Sequence, residues 1–388
     1  MKDVSEREKD LPKSVIGKLL RISSERKDII SLSVGEPDFN SPSPIIQEVK
    51  NVISNYKKNR VTHYTAPQGI LELREALVKK LETKNKIKVN PDEVLVTTGS
   101  QEGLFAGFAS TLDPTEEVIV PNPGYLAYIP GIELLNGVAK PLRLTEEENF
   151  EINPDRLKKL ITKKTRVIML NTPSNPTGTI LGKKLLEEIA DIAVEKDVYI
   201  FSDEAYEDLI YDHKEHVSIG SLNGMKKYVV SFHTFSKSYA MCGFRLGYAS
   251  GPKDVINAMQ KTIHYITLCP PHLSQRVGLK ALTMPRKHVV RMKREYDTRR
   301  RLIVRRLNEV GLRTRKPDGA FYAFSNITEY SKNSLKFSQK LMKEAKVAVV
   351  PGTEFGSGGE GFVRFSYATD YKKIKIAMDR LEKFLSRK

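Results

Sequence analysis

Short apolar runs alternate with amphipathic segments between residues 94 and 250. Each run ends in small or polar residues, and the runs read EVLVTT, EVIVPN, RVIMLNT, VYIFSDE and YVVSFHT. Continuous apolar strands separated by helices are typical of a mainly parallel sheet that helices cover on both faces. Ligands of such sheets bind at the carboxyl ends of the strands, and the polar clusters of this sequence lie there.

The C-terminal part of the chain has a different pattern. The runs GAFYAFSNI, VAVVPG and GFVRFSYA predict strands with long helices between and after them. The chain has 388 residues, and single cores stop growing near about 250–300 residues. We therefore expect an α/β protein with a large domain over 45–285, a smaller α+β domain over 286–388, and an N-terminal arm with part of the small domain over 1–44.

Composition narrows the class of protein. No apolar run approaches the roughly 18 residues of a membrane helix, and the first residues, MKDVSEREKDLPKS, are charged where a secretory signal is apolar. Two cysteines, Cys242 and Cys269, argue against a disulfide framework or a cysteine-rich metal site. We expect a cytoplasmic protein without a metal.

The excess of basic residues directs attention to nucleic acid as a partner. The chain carries 64 basic and 47 acidic residues, a formal net charge of +17. The densest basic segment, RKHVVRMKREYDTRRRLIVRRLNEVG, has apolar residues at helical spacing: Val289, Met292, Tyr296, Ile303, Leu307 and Val310. A charge run without a reading motif favours a solvated helix face, so we expect no nucleic-acid partner. An anionic substrate or cofactor would also benefit from the charge.

The first two polar clusters are turns that follow predicted strands. TTGSQEGLFAG opens a helix, whose free N–H groups and dipole suit a phosphate. Its glycine spacing matches neither the dinucleotide nor the P-loop motif, so an ordinary helix start is the alternative. NTPSNPTG fixes a rigid turn that would direct the Asn175 amide into a cleft, and a plain Asn-Pro turn is its alternative.

The other two clusters carry ionisable groups. FSDEAYEDL places Asp203 at the end of a buried strand, where a carboxylate is costly unless a cation or a protonated ring nitrogen pairs with it. A helix N-cap is the alternative. SFHTFSKSYAMCGFRLGY surrounds Lys237 with Thr234, Ser236 and Arg245. Hydroxyls and a guanidinium suit a phosphate, and an aldehyde beside the lysine would form an imine with it.

With these clusters in place, the sequence resembles the class I aminotransferases, which are fold-type I pyridoxal phosphate enzymes. The resemblance covers nearly the whole chain, and its motifs occur in order: SLSVGEPDF, HYTAPQGILELREAL, TTGSQEG, VPNPGYLAY, NTPSNPTG, SDEAYEDLIY, SFHTFSKSYAMCGFRLGYA, KPDGAFYAF, VAVVPGTEFG and VRFSYAT. The chain looks most like the branch that contains prokaryotic aspartate and aromatic aminotransferases.

The resemblance implies a role for each site residue around pyridoxal 5'-phosphate. Lys237 would form the Schiff base, and Asp203 would keep the pyridine nitrogen protonated. Tyr206 and Asn175 would hydrogen-bond the phenolic oxygen, while Tyr125 would stack on the ring. The phosphate donors would be Ser100, Gln101, Thr234, Ser236 and Arg245.

The resemblance also implies how substrate and partner subunit are held. Arg364 matches the arginine that binds the substrate α-carboxylate, for which a planar bidentate guanidinium is suited. Asn175 would assist it, and Gly35 would allow backbone approach from the other side. The tyrosine matching Tyr64 reaches the phosphate of the neighbouring subunit in this family, which implies a homodimer with shared active sites.

The implied reaction moves the α-amino group of an amino acid to 2-oxoglutarate in a ping-pong cycle, with Lys237 as the proton shuttle. In the aspartate-preferring branch a lysine follows the phosphate loop, whereas GLFAGFASTL here carries no cation. His264 or His272 could supply a cation instead, or Tyr265 an aromatic wall, and a role in packing alone is the alternative for each. We therefore expect a broad enzyme that accepts dicarboxylic or aromatic amino acids.

Three alternatives remain at this stage. A lyase or decarboxylase on the same fold would keep Lys237, Asp203 and Arg245, because a fold does not determine the reaction. A nucleic-acid-binding regulator would fit the positive charge, but few residues precede SLSVGEPDF. A nicotinamide dehydrogenase would need a glycine fingerprint that the sequence lacks.

Overall fold

The computed structural model describes residues 25–386, together with residues 3–5, 8, 9, 11, 17 and 22. Within these residues the strands are β1 (Ile30–Ser31), β2 (Val94–Thr97), β3 (Glu117–Asn122), β4 (Val138–Arg143), β5 (Thr165–Asn171), β6 (Tyr199–Asp203), β7 (Val229–Thr234), β8 (Gly247–Ser250), β9 (Tyr322–Asn326), β10 (Val347–Ala348), β11 (Val350–Pro351) and β12 (Phe362–Ser366). The α-helices that begin after residue 42 are α1 (Ser43–Ser54), α2 (Tyr56–Asn59), α3 (Leu71–Lys80), α4 (Ser100–Thr111), α5 (Tyr128–Glu133), α6 (Pro154–Leu160), α7 (Lys183–Lys196), α8 (Phe235–Ser238), α9 (Lys253–Ile266), α10 (His272–Thr283), α11 (Lys287–Glu309), α12 (Ser334–Ala345) and α13 (Tyr371–Leu385).

The largest sheet has seven strands in the order β2-β8-β7-β6-β5-β3-β4. Strand β8 runs antiparallel to its neighbours β2 and β7, and the other neighbouring pairs are parallel. The register aligns Asn171 with Asp203, and Asp203 with Phe232, so β5, β6 and β7 end at one edge of the sheet. The prediction of a mainly parallel sheet in an α/β fold is confirmed.

Helices cover both faces of this sheet because its strands are apolar on both faces. Successive side chains of a strand point to opposite faces. Ile168 and Leu170 of β5 belong to the core shared with α7, whereas Val167 and Met169 belong to the core shared with α4 and α9. This alternation leaves the strand ends as the places where polar side chains can gather.

A second group of strands comes from the two ends of the described chain. Strands β11, β12 and β9 form an antiparallel sheet, and β1 pairs in parallel with β10. Helices α11, α12 and α13 contribute to the core beside them. The predicted strands of the tail are therefore present. The division into domains over 1–44, 45–285 and 286–388 stays a prediction.

The basic segment forms the long helix α11, as its spacing predicts. The predicted apolar face is buried at Val289, Met292, Tyr296, Ile303 and Leu307. Val310 is the C-cap residue of the helix. The basic side of the helix is not fully exposed to solvent as expected, because Arg299 and Arg300 are also buried. Arg299 pairs with Asp38 at 2.7 Å and Arg300 with Asp212 at 2.8 Å, so these two cations join distant parts of the chain.

Among the helices that the structure describes, none combines the length and the apolar character needed to cross a membrane.

Candidate active site

A pocket of about 280 Å³ lies where β5, β6 and β7 end. Twelve of the residues to which the resemblance assigns a role line it: Gly35, Ser100, Gln101, Tyr125, Asn175, Asp203, Tyr206, Thr234, Ser236, Lys237, Arg245 and Arg364. Four further lining residues are Leu126, Asn171, Ala205 and Tyr322. Motifs separated by up to about three hundred positions in the chain therefore meet at this edge of the sheet, where the fold class places ligands.

Lys237 lies on the short helix α8, which follows β7 directly. The Thr234 side chain caps this helix by accepting a hydrogen bond from the Ser236 amide at 3.1 Å. The Lys237 Nζ donates to the Gly35 carbonyl at 2.6 Å. No ion pair to Lys237 occurs among the residues that the structure describes, so a neutral backbone oxygen holds this amine in the pocket.

Asp203 ends strand β6 and is 5% exposed. Tyr128 donates its hydroxyl proton to Oδ2 at 2.8 Å, and the Ala205 amide donates to Oδ1 at 3.2 Å. No helix of the described chain begins directly after Asp203, so it is not an N-cap residue, and the second contact is a local turn contact that occupies only one oxygen. Burial raises the pKa of Asp203 to about 6, although the hydrogen bond from Tyr128 opposes that rise. No cation forms an ion pair with this carboxyl among the described residues, and the nearby charge of Lys237 opposes the rise less than the Tyr128 hydrogen bond does.

Two tyrosine hydroxyls meet beside this carboxyl. The oxygen atoms of Tyr206 and Tyr322 lie 2.8 Å apart, and both residues are buried. Burial raises the pKa of Tyr206 well above its usual value, and the neighbouring Tyr322 adds to the rise. Tyr206 therefore remains a phenol and a hydrogen-bond donor at neutral pH.

Tyr125 forms one wall of the pocket. Its ring meets the Tyr128 ring edge to face, with centroids 5.4 Å apart, and its hydroxyl contacts Gln101 Oε1 at 3.4 Å. Burial raises the pKa of Tyr125 to about 12, so this hydroxyl also keeps its proton. A flat aromatic wall of this kind suits a planar ring in the pocket.

Arg364 is a buried guanidinium, 2% exposed, on β12. Its Nη1 donates to Asn175 Oδ1 at 2.8 Å and its Nη2 donates to the Ser33 carbonyl at 2.7 Å. Within the described part of the chain, Nε has no hydrogen-bond partner and no carboxylate pairs with the group. Burial lowers the pKa of Arg364. A buried cation without a counter-ion is costly, and a ligand carboxylate would supply that counter-ion.

A second anion site is built at the start of helix α4. Gly99 precedes this helix with a φ of 81°, a left-handed conformation that favours glycine. A Cβ at Gly99 would lie 2.6 Å from Arg245 Nη2, so the guanidinium packs directly against the helix start. Ser236 and Thr234 line the same pocket. A helix N-terminus, hydroxyls and a guanidinium together suit a phosphate group.

Four predicted residues do not line the pocket of this chain. Tyr64 is 82% exposed and Tyr265 is 87% exposed. His264 and His272 are also absent from the described lining, and His272 Nδ1 instead lies 3.1 Å from the Arg60 carbonyl. His264, His272 and Tyr265 therefore do not line the pocket within this chain. Tyr64 was expected to serve a neighbouring subunit.

A buried cluster beside the pocket has the spacing of a metal site but already has its own cations. Ligand atoms of Glu204, Glu207 and His216 lie within 4.8 Å of one another. Glu207 pairs with Lys80 at 2.5 Å, and Glu204 pairs with His216 at 2.7 Å. The charge of His216 and its neighbours lowers the pKa of Glu204 to about 2. The lysine and histidine therefore satisfy these carboxylates.

Comparisons with known proteins agree with this geometry. The chain matches the family model described as aminotransferase class I and II over residues 27–381. It is 45% identical to an aspartate aminotransferase of Pyrococcus abyssi, over 97% of this chain and 96% of that protein. It is 44% identical to aromatic-amino-acid aminotransferase 2 of Thermococcus litoralis, over the same shares. The solved structure of the Thermus thermophilus aspartate aminotransferase with maleate is 35% identical, with a TM-score of 0.93 over 99% of this chain and 100% of that one.

Proposed function

The chain belongs to the class I and II aminotransferases, which are pyridoxal phosphate-dependent transferases, and on that premise we propose that it transfers the α-amino group of aspartate or an aromatic amino acid to 2-oxoglutarate. One observation carries the proposal. The amine of Lys237, the buried guanidinium of Arg364 and the carboxyl of Asp203 line one pocket, and none of them has an ion-pair partner among the described residues.

The residues present fit pyridoxal phosphate. Its phosphate suits the start of α4 with Ser100, Gln101, Thr234, Ser236 and Arg245, and its ring nitrogen would give Asp203 the cation that the carboxyl lacks. Asn175 Oδ1 is occupied by Arg364, which leaves Nδ2 to donate towards the phenolic oxygen together with the Tyr206 hydroxyl. The Tyr125 ring would stack on the cofactor ring.

The protein side of the mechanism is proton transfer and positioning. The cofactor supplies an aldehyde that condenses with amines and a ring that accepts electrons. Lys237 would be the catalytic base: its amine would accept the α-proton of the substrate and pass it on within the same half-reaction, and the second half-reaction would run this transfer in reverse. The Gly35 carbonyl, 2.6 Å from Nζ, orients the amine. Arg364 would bind the substrate α-carboxylate through both of its Nη atoms.

The charges of the pocket support a broad choice of amino donor. Three of the described residues that line the pocket are cations: Lys237, Arg245 and Arg364. We assign Lys237 and Arg245 to the cofactor and Arg364 to the substrate α-carboxylate. No fourth cation in the lining of this chain would hold a distal carboxylate. The side chain of an aromatic donor would therefore not have to lie against an unpaired buried cation. This supports an enzyme that accepts aromatic as well as dicarboxylic amino acids.

Exposed aromatic residues support a homodimer. Residues 60–70 pack against the region that begins α10, where the Thr65 amide contacts Cys269 Sγ at 3.5 Å. Thr267, just after α9, donates to Glu102 on the first turn of α4 at 2.8 Å. Tyr64 and Tyr265 therefore project from a surface connected to the phosphate end of the pocket. We place a second copy there, with Tyr64 completing the phosphate site of its partner. We also propose a cytoplasmic location, because the substrates of the reaction are small metabolites.

The test is a pair of half-reactions followed by absorption. The purified protein, loaded with pyridoxal phosphate, should show a visible band that bleaches with aspartate or phenylalanine and returns with 2-oxoglutarate. The control is Lys237→Ala, which shows the absorption of cofactor that is bound without a bond to the lysine amine. Release of pyruvate or carbon dioxide without any need for an oxo acid would instead establish a lyase or decarboxylase and contradict the proposal.

A further inference from the structure

Tyr322 lines the pocket and contacts both the Tyr206 hydroxyl and the Arg364 guanidinium. It begins β9, which pairs antiparallel with β12 in a register that places Arg364 opposite Phe324. Residues two apart on a strand share a face, so Tyr322 lies on the same face of the sheet as Arg364. The strand register, rather than nearness in sequence, brings the two side chains together.

The ring of Tyr322 supports the guanidinium. The central carbon of Arg364 lies 4.2 Å from the Tyr322 ring centroid and 4.8 Å from the Phe355 ring centroid. In a buried, desolvated site such cation–π contacts stabilise a guanidinium more strongly than they do at an exposed site. They also restrict the directions in which its nitrogens can point. The ring therefore helps to hold a cation that has no carboxylate partner within the described chain.

The hydroxyl of Tyr322 determines where the Tyr206 proton points. Each phenol has one proton to donate, and the two oxygens lie 2.8 Å apart. If Tyr206 donates towards a ligand oxygen in the pocket, Tyr322 must donate to Tyr206. A donor on the Tyr206 oxygen strengthens the hydrogen bond that Tyr206 itself donates. The pair is then a directed chain from Tyr322 through Tyr206 to the ligand.

Gly35 leaves the room that this arrangement needs. A Cβ on Gly35 would lie 2.5 Å from the Tyr322 hydroxyl oxygen. The Gly35 carbonyl is also the acceptor for Lys237 Nζ. The same glycine therefore accommodates the Tyr322 hydroxyl and orients the amine.

We propose that Tyr322 is a positioning residue, whose ring orients Arg364 for the substrate carboxylate and whose hydroxyl directs the Tyr206 proton to the phenolic oxygen of the cofactor. The two roles are separable, because Tyr322→Phe removes only the hydroxyl and Tyr322→Met removes the ring while filling much of its volume. This inference rests on the proposed function, since it requires both the cofactor and a carboxylate ligand.

The hydroxyl role is tested by spectroscopic pH titration of the enzyme loaded with pyridoxal phosphate. A weaker hydrogen bond to the phenolic oxygen makes the cofactor chromophore more basic. In Tyr322→Phe we expect the pKa of the visible band to rise by a few tenths of a unit, because the hydrogen bond from Tyr206 is weakened by roughly 10–30% and not lost. Affinity for maleate, a dicarboxylate probe, should change by less than about twofold, because the ring remains.

The ring role is tested by maleate titration of the same loaded enzyme. In Tyr322→Met the dissociation constant for maleate should rise about tenfold, the effect of losing a buried cation–π contact. The matched control is Tyr211→Phe. Tyr211 is also buried and donates its hydroxyl to the Ala320 carbonyl at 2.6 Å, but it does not line the pocket. It should lower thermal stability and leave the band pKa and maleate affinity unchanged.

The outcomes separate this inference from the proposed function. If the wild-type protein transaminates but Tyr322→Phe has the wild-type band pKa, or Tyr211→Phe shifts it equally, the hydroxyl role is overturned. If Tyr322→Met binds maleate as the wild type does, the ring role is overturned. If Tyr322→Met does not fold, the band pKa of Tyr322→Phe can still refute the hydroxyl role. Failure of the wild type to take up pyridoxal phosphate would refute the proposed function itself.

Discussion

Replacing Asp203 with asparagine should stabilise the cofactor-free protein and weaken its response to the cofactor. Burial raises the pKa of Asp203 from 3.8 to about 6. At about 1.4 kcal/mol per pKa unit, that rise corresponds to roughly 3 kcal/mol of unfavourable free energy at neutral pH. The amide removes this charge, but it offers one oxygen where Tyr128 and the Ala205 amide now use two. Losing one of these hydrogen bonds costs about 1 kcal/mol, which leaves a net gain of about 2 kcal/mol.

The sign of the pH dependence follows from the raised pKa. Wild-type stability falls as pH rises from the unfolded value of 3.8 through the folded value of about 6, because the charged form is the disfavoured one in the fold. Asp203→Asn lacks this contribution. Its stability advantage should therefore be small or negative near pH 4 and reach its full size above about pH 6.5.

The assay is thermal unfolding of the cofactor-free proteins between pH 4 and 8, repeated with saturating pyridoxal phosphate. The cofactor should raise the melting temperature of the wild type more than that of Asp203→Asn, because the ring nitrogen loses its carboxylate. The control is Asp212→Asn, which removes the negative charge opposite Arg300 and one of the two oxygens that accept hydrogen bonds from it, at 2.8 and 2.9 Å, and should destabilise. A lower melting temperature for cofactor-free Asp203→Asn at pH 8, or a difference from wild type that does not vary with pH, would refute the reasoning.

Three further predictions follow from single contacts. Arg364→Lys should lower kcat/KM about 100-fold for aspartate and phenylalanine alike, because an ammonium lacks the planar fork that binds a carboxylate; steady-state kinetics that showed a loss for only one donor would contradict the assignment. Gly35→Ala should destabilise by about 1–3 kcal/mol through the Tyr322 hydroxyl, whereas Gly182→Ala, where nothing lies within 4 Å of an added Cβ, should be neutral in the same unfolding assay. Tyr64→Phe should weaken pyridoxal phosphate binding about tenfold, through loss of a hydrogen bond to a charged phosphate, and should leave the molecular mass measured by light scattering as it is in the wild type; unchanged affinity would remove Tyr64 from the phosphate site.

Most residues of the pocket could be predicted from the sequence because their motifs directly follow predicted strands. Once the strands containing Asn171, Asp203 and Thr234 are placed side by side in a parallel sheet, their polar ends share one edge. The resemblance then supplied Gly35 and Arg364, which no local pattern connects to that edge. Arg364 reaches the pocket on β12, and Gly35 reaches it on the segment that follows β1.

Residues whose role depends on strand register or on remote partners were missed. Tyr128 and Tyr322 lie inside quoted motifs, yet their contacts with Asp203 and Tyr206 span 75 and 116 positions. The burial of Arg299 was hidden for the same reason, since its partner Asp38 is 261 positions away. Periodicity identifies which face of a helix is apolar, but it does not identify which charges on the other faces find distant counter-ions.

The measurement that tests the account most directly is to reduce the cofactor-loaded protein with borohydride and identify the labelled peptide by mass spectrometry. We predict one pyridoxyl group per chain on Lys237, the amine that the Gly35 carbonyl holds in the pocket at 2.6 Å, and none in Lys237→Ala. A label on another lysine, or no stable label at all, would contradict it.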